Sequence, residues 1–77
     1  MGDILTLADC KAGQVVSLKK VNDRQLTIQL YSMGCILGET IRVERIAPFG
    51  DPMIINIEDS FISLRRDDAK KMEISNI

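Results

Sequence analysis

Hydrophobic and polar residues alternate along several short stretches of the chain, which is typical of strands with one buried face. Between residues 14 and 21, Val16 and Leu18 share one side of the predicted strand, and the polar residues fall mostly on the other. Further strands are predicted at residues 40–45, 53–57, 61–65 and 72–77, with an opening strand within residues 1–7. The pattern therefore predicts a mainly β protein of about five to six short strands.

One segment, residues 22–33, changes from the strand period to a helical one. Asn22 and Gln25 resemble a capping box at the start of a helix. Gly34 stands where a left-handed helix C-cap is expected. The apolar residues at helical spacing, expected to pack on the sheet, are Leu26, Leu30 and Met33, with Ile28 and Tyr31 widening the stripe. The segment predicts a single helix of about ten residues.

Two prolines bracket the connection between the predicted strands at residues 40–45 and 53–57. Pro48 and Pro52 each fix their own φ, and Gly50 and Asp51 between them favour a tight turn. We expect an antiparallel pair of strands on either side. A second reversal is predicted at residues 58–60, and a short helical turn at residues 66–71. Together these elements predict one domain over residues 1–77, a small SH3-like closed β-barrel with one helix and a helical turn.

Composition argues against nucleic acid and membrane as direct partners. The chain has 10 Lys and Arg against 11 Asp and Glu, with no basic block, whereas a phosphate-binding surface needs clustered cations. Its aromatic residues, 1 Tyr and 2 Phe, are too few for a base-stacking platform. No apolar run reaches the length of a membrane span, so we expect no direct insertion.

The residues that usually perform catalysis are largely missing. The chain has 0 His, which removes the commonest general base and metal ligand, and it has no glycine-rich phosphate loop. Cys10 and Cys35 are too far apart in sequence for a zinc knuckle. We expect both to be small buried hydrophobic residues of a reduced, cytosolic protein, with a soft-metal or thiol role as the alternative. The sequence predicts no enzyme, no cofactor and no metal site.

Two apolar residues in a glycine-bounded loop, Ile36 and Leu37, are candidates for a binding surface. They serve either as a core plug or as a partner site, because exposed apolar clusters mark docking surfaces. Arg65 and Arg66 at a strand end are either solvated or partner contacts. The full set of candidate partner-binding residues is Met33, Ile36, Leu37, Arg45, Phe49, Arg65 and Arg66.

Four stretches in order along the chain carry a family resemblance. They are Gly13 before a valine-rich strand, residues 30–34 followed by Gly38, residues 47–52, and residues 62–69. With this spacing the chain resembles the ferrous iron transport A (FeoA) family. Two departures are Cys10 and Cys35, which stand where aliphatic residues are expected, and Asp59-Ser60, which replaces a glycine-containing turn.

The resemblance implies an SH3-like barrel that is an accessory to a membrane ferrous iron transporter, FeoB. It implies binding to the transporter's cytosolic GTP-binding domain or cytosolic face, without hydrolysis by this chain. The expected location is the cytoplasm, peripheral at the inner membrane through the partner. The alternatives are a free-standing module related to the C-terminal domain of iron-dependent repressors, and a metal carrier using Cys10 and Cys35. The sequence leaves open whether the chain is a monomer or a weak homo-oligomer.

Overall fold

Five antiparallel strands form a single sheet in the computed structural model, which describes residues 5–77. The strands are β1 (Val15–Val21), β2 (Thr40–Ile46), β3 (Met53–Ile57), β4 (Ser60–Leu64) and β5 (Met72–Asn76). The helices are α1 (Arg24–Ser32) and α2 (Arg66–Ala69), and a 3-10 turn spans Leu7–Asp9. The strand order is β4-β3-β2-β1-β5, and the predicted strands and helices match these elements closely.

The alternating pattern of the sequence produces the core. Val16 and Leu18 of β1 are buried while Val15 is 41% exposed, as the period of two requires. All buried side chains among the described residues are apolar. The other strands contribute Ile41 and Val43, then Met53, Ile55 and Ile57, then Ile62 and Leu64, then Met72 and Ile74. One continuous apolar interior therefore holds the domain together.

The sheet curves into the small SH3-like barrel that the pattern predicted, but strand pairing does not close it. Register shifts in the β1–β5 and β2–β3 ladders bend those strands. Within residues 5–77, no ladder joins β4 to β5, so the barrel is open between its first and last strands in sheet order. Leu26 of α1 lies opposite Ile62 and Leu64 of β4 and covers the core there.

The helix α1 begins one residue later than the predicted capping box. Its N-cap is Asp23, whose Oδ1 accepts a hydrogen bond of 2.8 Å from the Leu26 backbone N–H. Asn22 instead donates from Nδ2 to Glu73 Oε2 at 2.7 Å. The predicted cap at Asn22 is therefore wrong. A carboxylate at the next position accepts the helical N–H with the favourable sign for a helix N-terminus.

The apolar face of α1 is narrower than the sequence suggested. Leu26 and Leu30 are buried, but Ile28 is 62% exposed and Tyr31 is 52% exposed. The prediction that these two residues widen the buried stripe is wrong, because α1 covers only the open side of the barrel. Met33, the C-cap residue, is 42% exposed, so its predicted packing in the core is also wrong.

The predicted opening strand lies partly outside the described residues. Among residues 5–77, Thr6 forms a single antiparallel bridge with Glu73, and Ile74 N–H donates to the Leu5 carbonyl at 3.0 Å. The chain then turns through the 3-10 segment. None of the helices in this described part is long and apolar enough to cross a bilayer.

We expect Asp23→Ala to lower the Tm. Besides capping α1, Asp23 forms an ion pair of 3.2 Å with Lys71 Nζ, which connects α1 to the segment before β5. The Leu26 N–H and then the Lys71 ammonium lower the pKa of Asp23. A carboxyl group with a lower pKa in the folded chain stabilises the fold at pH values above its unfolded-state pKa, about 3.9. This stabilisation is lost as the pH falls through its folded-state pKa. Thermal unfolding from pH 7 to pH 2 should show the wild-type and variant Tm converging in acid; parallel curves would contradict the assignment.

The two faces of α1 can be compared directly by alanine substitution. Leu30→Ala should reduce the free energy of unfolding by about 2–5 kcal/mol, because it leaves a cavity in the core. Ile28→Ala should change it by less than about 0.5 kcal/mol, as at other exposed positions. Urea unfolding of both variants measures the difference, and equal losses would place α1 in a different orientation.

Candidate partner-docking surface

The loop after α1 is fixed at its start by a glycine cap. Gly34 has φ +86°, and the Cys35 N–H donates to the Leu30 carbonyl at 2.8 Å, which is the bond pattern of a Schellman motif. Cys35 and Leu30 are both fully buried, which supplies the apolar contact that accompanies this motif. Gly34 follows the C-cap residue Met33, and the left-handed conformation predicted for it is confirmed. The loop therefore leaves the helix in one defined direction.

The same loop is fixed at its end by backbone hydrogen bonds to β1. Gly38 N–H donates to the Leu18 carbonyl at 2.8 Å, and Leu18 N–H donates to the Glu39 carbonyl at 3.0 Å. Glu39 N–H closes a turn onto the Ile36 carbonyl at 3.1 Å, with Gly38 at φ +90° as such a turn requires. Ile36 is 46% exposed and Leu37 is 52% exposed. These two residues are therefore held outward by the backbone and do not plug the core.

A groove of about 330 Å³ runs between α1 and β4, beside this loop. Met33 and Phe61 stand on opposite sides of it, with Gln29, Ser63 and Asp68 among its lining. Phe61 was not among the residues singled out from the sequence. The alternation of β4 could have identified it, because burial of the residues on either side of Ser63 places Phe61 on the outer face.

Two carboxylates meet where the α1–β2 loop approaches the β3–β4 turn. Partial burial raises the pKa of Glu39, and Glu58 raises it further through a hydrogen bond to the protonated form and through like-charge repulsion. Glu58 has φ +54°, so the turn that carries it is tightly constrained. This contact places the loop bearing Leu37 next to the β3–β4 turn.

The remaining candidate residues lie around the proline-bracketed turn. Phe49 is 95% exposed at the tip of this turn. Asp51 Oδ1 accepts a hydrogen bond of 3.0 Å from the Arg66 backbone N–H, so the turn is attached to the start of α2. The Arg66 guanidinium lies over Gly50, where an added Cβ would come within 3.1 Å of it. Arg65, beside Asp51, is exposed.

The seven candidate residues thus form two groups rather than one cluster. Met33, Ile36 and Leu37 form an apolar group at the end of α1. Phe49, Arg65 and Arg66 form a second group at the proline turn, and Arg45 is exposed near the end of β2 that enters this turn. Ser63 lines both the groove and the depression beside Arg65, so it connects the two groups.

Both cysteines lie in the core, as predicted for small hydrophobic residues. Cys10 is 5% exposed and Cys35 is fully buried. Burial raises the pKa of Cys35 to about 11, and burial followed by the Asp9 carboxylate raises the pKa of Cys10. Both thiols are therefore protonated at neutral pH. Residues 5–77 hold no group of three or more His, Cys, Asp or Glu arranged to bind a metal.

We expect Glu58→Gln to raise the Tm at pH 7, because it removes the charge that repels Glu39. A raised pKa means that Glu39 holds its proton more tightly in the folded chain than in the unfolded one. Stability is therefore lost as the pH rises from the unfolded-state pKa of a glutamate, about 4.3, through the folded-state pKa of Glu39. The gain should therefore disappear below about pH 4. Asp59→Asn, which removes a charge from the same turn, is the matched control for thermal unfolding. An equal gain in both variants, or one independent of pH, would count against the Glu39–Glu58 contact.

Comparison with known proteins places this barrel and its turns in a recognised group. Residues 5–76 match the FeoA domain family. A Porphyromonas gingivalis protein, the Fe(2+) transport protein A/Fe(2+) transporter FeoB fusion protein, is 34% identical over 74 residues. The match covers 95% of this chain but 9% of that relative, so the chain spans less than a tenth of the fusion protein.

Solved structures agree with the fold. The solution structure of Chlorobium tepidum FeoA has a TM-score of 0.89 and 26% identity, covering 95% of this chain and 70% of that one. Stenotrophomonas maltophilia FeoA complexed with zinc, described as an SH3 domain protein, has a TM-score of 0.80 and 21% identity, with 92% and 89% covered. This second likeness shows the fold alone. Because the family match spans nearly all of the described residues, the chain belongs to the FeoA family.

Proposed function

We propose that the chain is a cytoplasmic accessory protein of a ferrous iron uptake system that binds the cytosolic GTP-binding part of a FeoB-type transporter. The single observation that carries this proposal is the backbone-fixed turn that holds Leu37 half exposed. The fused relative supports the choice of partner, since its name joins an Fe(2+) transport protein A to a FeoB transporter in one polypeptide.

A binding role, rather than a catalytic one, agrees with the chemistry of the side chains. The chain has 0 His, and both cysteine thiols are buried and protonated. A nucleophile needs an adjacent base or a lowered pKa, and the thiols have neither. What this domain offers a partner is shape, apolar area and arginine side chains.

A domain of this kind can meet its transporter within one polypeptide or by diffusion. A short flexible linker gives an effective concentration on the order of millimolar, so a weak contact suffices within one polypeptide. A domain that meets the transporter by diffusion needs affinity from its own surface. An apolar residue that is rigidly held gives more affinity than a mobile one, because less conformational entropy is lost on binding.

The proposed contact surface includes both groups of candidate residues, with apolar anchors and a basic rim. Ile36 and Leu37 are the anchors, with Met33 beside them. Phe49 is a second apolar anchor, and arginine is enriched at protein interfaces. The rim consists of Arg45, Arg65 and Arg66. Such a division into a few buried anchors and a polar rim is the usual anatomy of a protein interface.

We expect Leu37→Asp to weaken binding to the isolated GTP-binding domain of the FeoB transporter at least tenfold, about 1.4 kcal/mol. An anchor that is desolvated on binding is replaced by a charge that must stay solvated. Isothermal titration with the purified domain measures the effect. Far-UV circular dichroism should be unchanged, because Leu37 is half exposed and its turn is held by backbone bonds.

Ile28→Asp is the matched control, because it places the same charge at an exposed apolar position on α1. Its affinity should stay within about twofold of the wild type, which is a few tenths of a kcal/mol. Leu37→Met, which keeps an apolar side chain, should also bind. Wild-type affinity in Leu37→Asp, or no binding by the wild-type chain, would contradict the proposal.

A further inference from the structure

The outer edge of β4 has unpaired backbone groups. β3 and β4 are joined by two residues, so Ile57 and Ser60 face each other as the last pair of the ladder. Hydrogen-bonded and non-hydrogen-bonded residue pairs alternate along an antiparallel ladder. Ser60, Ile62 and Leu64 therefore form the backbone hydrogen bonds to β3. Phe61 and Ser63 therefore direct their N–H and C=O groups away from β3. No backbone hydrogen bond among residues 5–77 outside the strand ladders engages these groups.

The other edge of the sheet, β5, is partly paired with the N-terminal segment. The N-terminal segment lies along β5, through the Thr6–Glu73 bridge and the bond from Ile74 N–H to the Leu5 carbonyl. That edge is therefore partly covered by the chain itself. Within the described residues no backbone segment outside β3 pairs with β4, and α1 faces it across the groove that Met33 and Phe61 line.

Sheet edges in monomeric proteins usually carry features that prevent pairing, such as lysine, proline or a bulge. β4 reads Ser-Phe-Ile-Ser-Leu, with no charge and no proline. Its ladder with β3 has no register shift, unlike the β1–β5 and β2–β3 ladders. Phe61 is 67% exposed on its outer face. This edge is suited to accept another strand.

We propose that the partner of this edge is β4 of a second copy of the chain, paired antiparallel about a two-fold axis at Ile62. In this register Phe61 lies opposite Ser63 of the second copy, and Ser63 opposite Phe61. Each of these two pairs exchanges two backbone hydrogen bonds, so the outward groups of all four residues are satisfied. The two sheets become one continuous sheet of ten strands.

Charge selects this register. Counting outward from Ile62, Asp59 and Arg65 directly flank β4, and Asp59 lies opposite Arg65 of the second copy. The two-fold axis repeats this pair, so an acid meets an arginine at both ends of the strand. In the chain itself, Asp59 and Arg65 form no ion pair, since the salt bridges of residues 5–77 lie elsewhere. The two charges are therefore free to pair between copies.

The outer face adds apolar contact at the centre. Phe61 packs beside the small Ser63 of the second copy, and the two Phe61 rings occupy diagonal positions about 7–8 Å apart, within reach of aromatic side chains. A contact of one short strand from each chain is small, so the dimer is weak and transient. This inference needs neither Leu37 nor the transporter, although Arg65 also belongs to the proposed basic rim.

Charge exchange tests the register. Sedimentation equilibrium of the wild-type chain from 10 µM to 1 mM should give a dimer with a Kd on the order of 10⁻⁴ M, weakening as salt screens the ion pairs. Asp59→Arg or Arg65→Asp alone places like charges opposite each other at both ends, and each should weaken self-association at least tenfold. The double variant D59R/R65D restores opposite charges and should dimerise like the wild type.

An equimolar mixture of the two single variants gives the sharpest result. Each fails to pair with itself, but together they place arginine opposite aspartate at both ends and should form a heterodimer. Both substitutions are at exposed positions, and aspartate at position 65 is a favourable N-cap for α2, so folding is preserved. Lys19→Asp, with the same charge change on β1, should leave dimerisation unchanged.

Hydrogen exchange reports on the backbone directly. The Phe61 and Ser63 amides should exchange rapidly at 10 µM and become protected at 1 mM, while the Ile62 amide changes little. A wild-type chain that stays monomeric at 1 mM overturns the proposal. So does a dimer indifferent to the charge exchange, or protection of these amides that requires a different protein.

Discussion

A single apolar face has to supply the stability of a very short chain, and this constraint determines the rest of the structure. Small domains bury a limited share of their surface, so most of the apolar face has to be buried in the core. Each strand gives its inward residues to one interior, and no buried side chain in the described residues is polar. Strand pairing leaves the barrel open between β4 and β5, and Leu26 and Leu30 of α1 cover the apolar interior at this opening.

The same constraint determines what is left outside. Because α1 is used to cover an opening, only a narrow face of it is buried, and its remaining apolar residues face solvent. The loop that follows must return to β1 at once, which it does through bonds to Leu18 that fix Leu37 outward. The exposed apolar residues of this family member are thus by-products of closing a small core. They sit on rigid backbone, which makes them suited to binding.

Much of the fold could be predicted from the sequence, because alternation and turn chemistry act locally. The strands, the Gly34 cap and the proline-bracketed turn follow from period and backbone preference. The width of the α1 face could not be predicted, since Ile28 and Tyr31 have helical spacing whether or not a surface lies opposite them. The cap moved from Asn22 to Asp23 for a tertiary reason, because Lys71 and Glu73 lie next to this pair only in the folded chain.

The candidate surface was predictable in part. Ile36 and Leu37 were identified by an unusual composition for a loop, but whether they entered the core depended on bonds to Leu18 that no local pattern encodes. Phe61 was missed although the alternation of β4 contained the signal. The approach of Glu39 to Glu58 joins segments distant in sequence, and only the fold brings them together.

The burial of Cys35 gives the chain an internal reporter of its own opening. A protonated thiol inside a packed core reacts with alkylating reagents only after the surrounding structure separates. The rate at which Cys35 is labelled therefore follows the fraction of molecules that open around it. Opening can thus be followed in dilute solution, without denaturant and without introducing a cysteine by mutation.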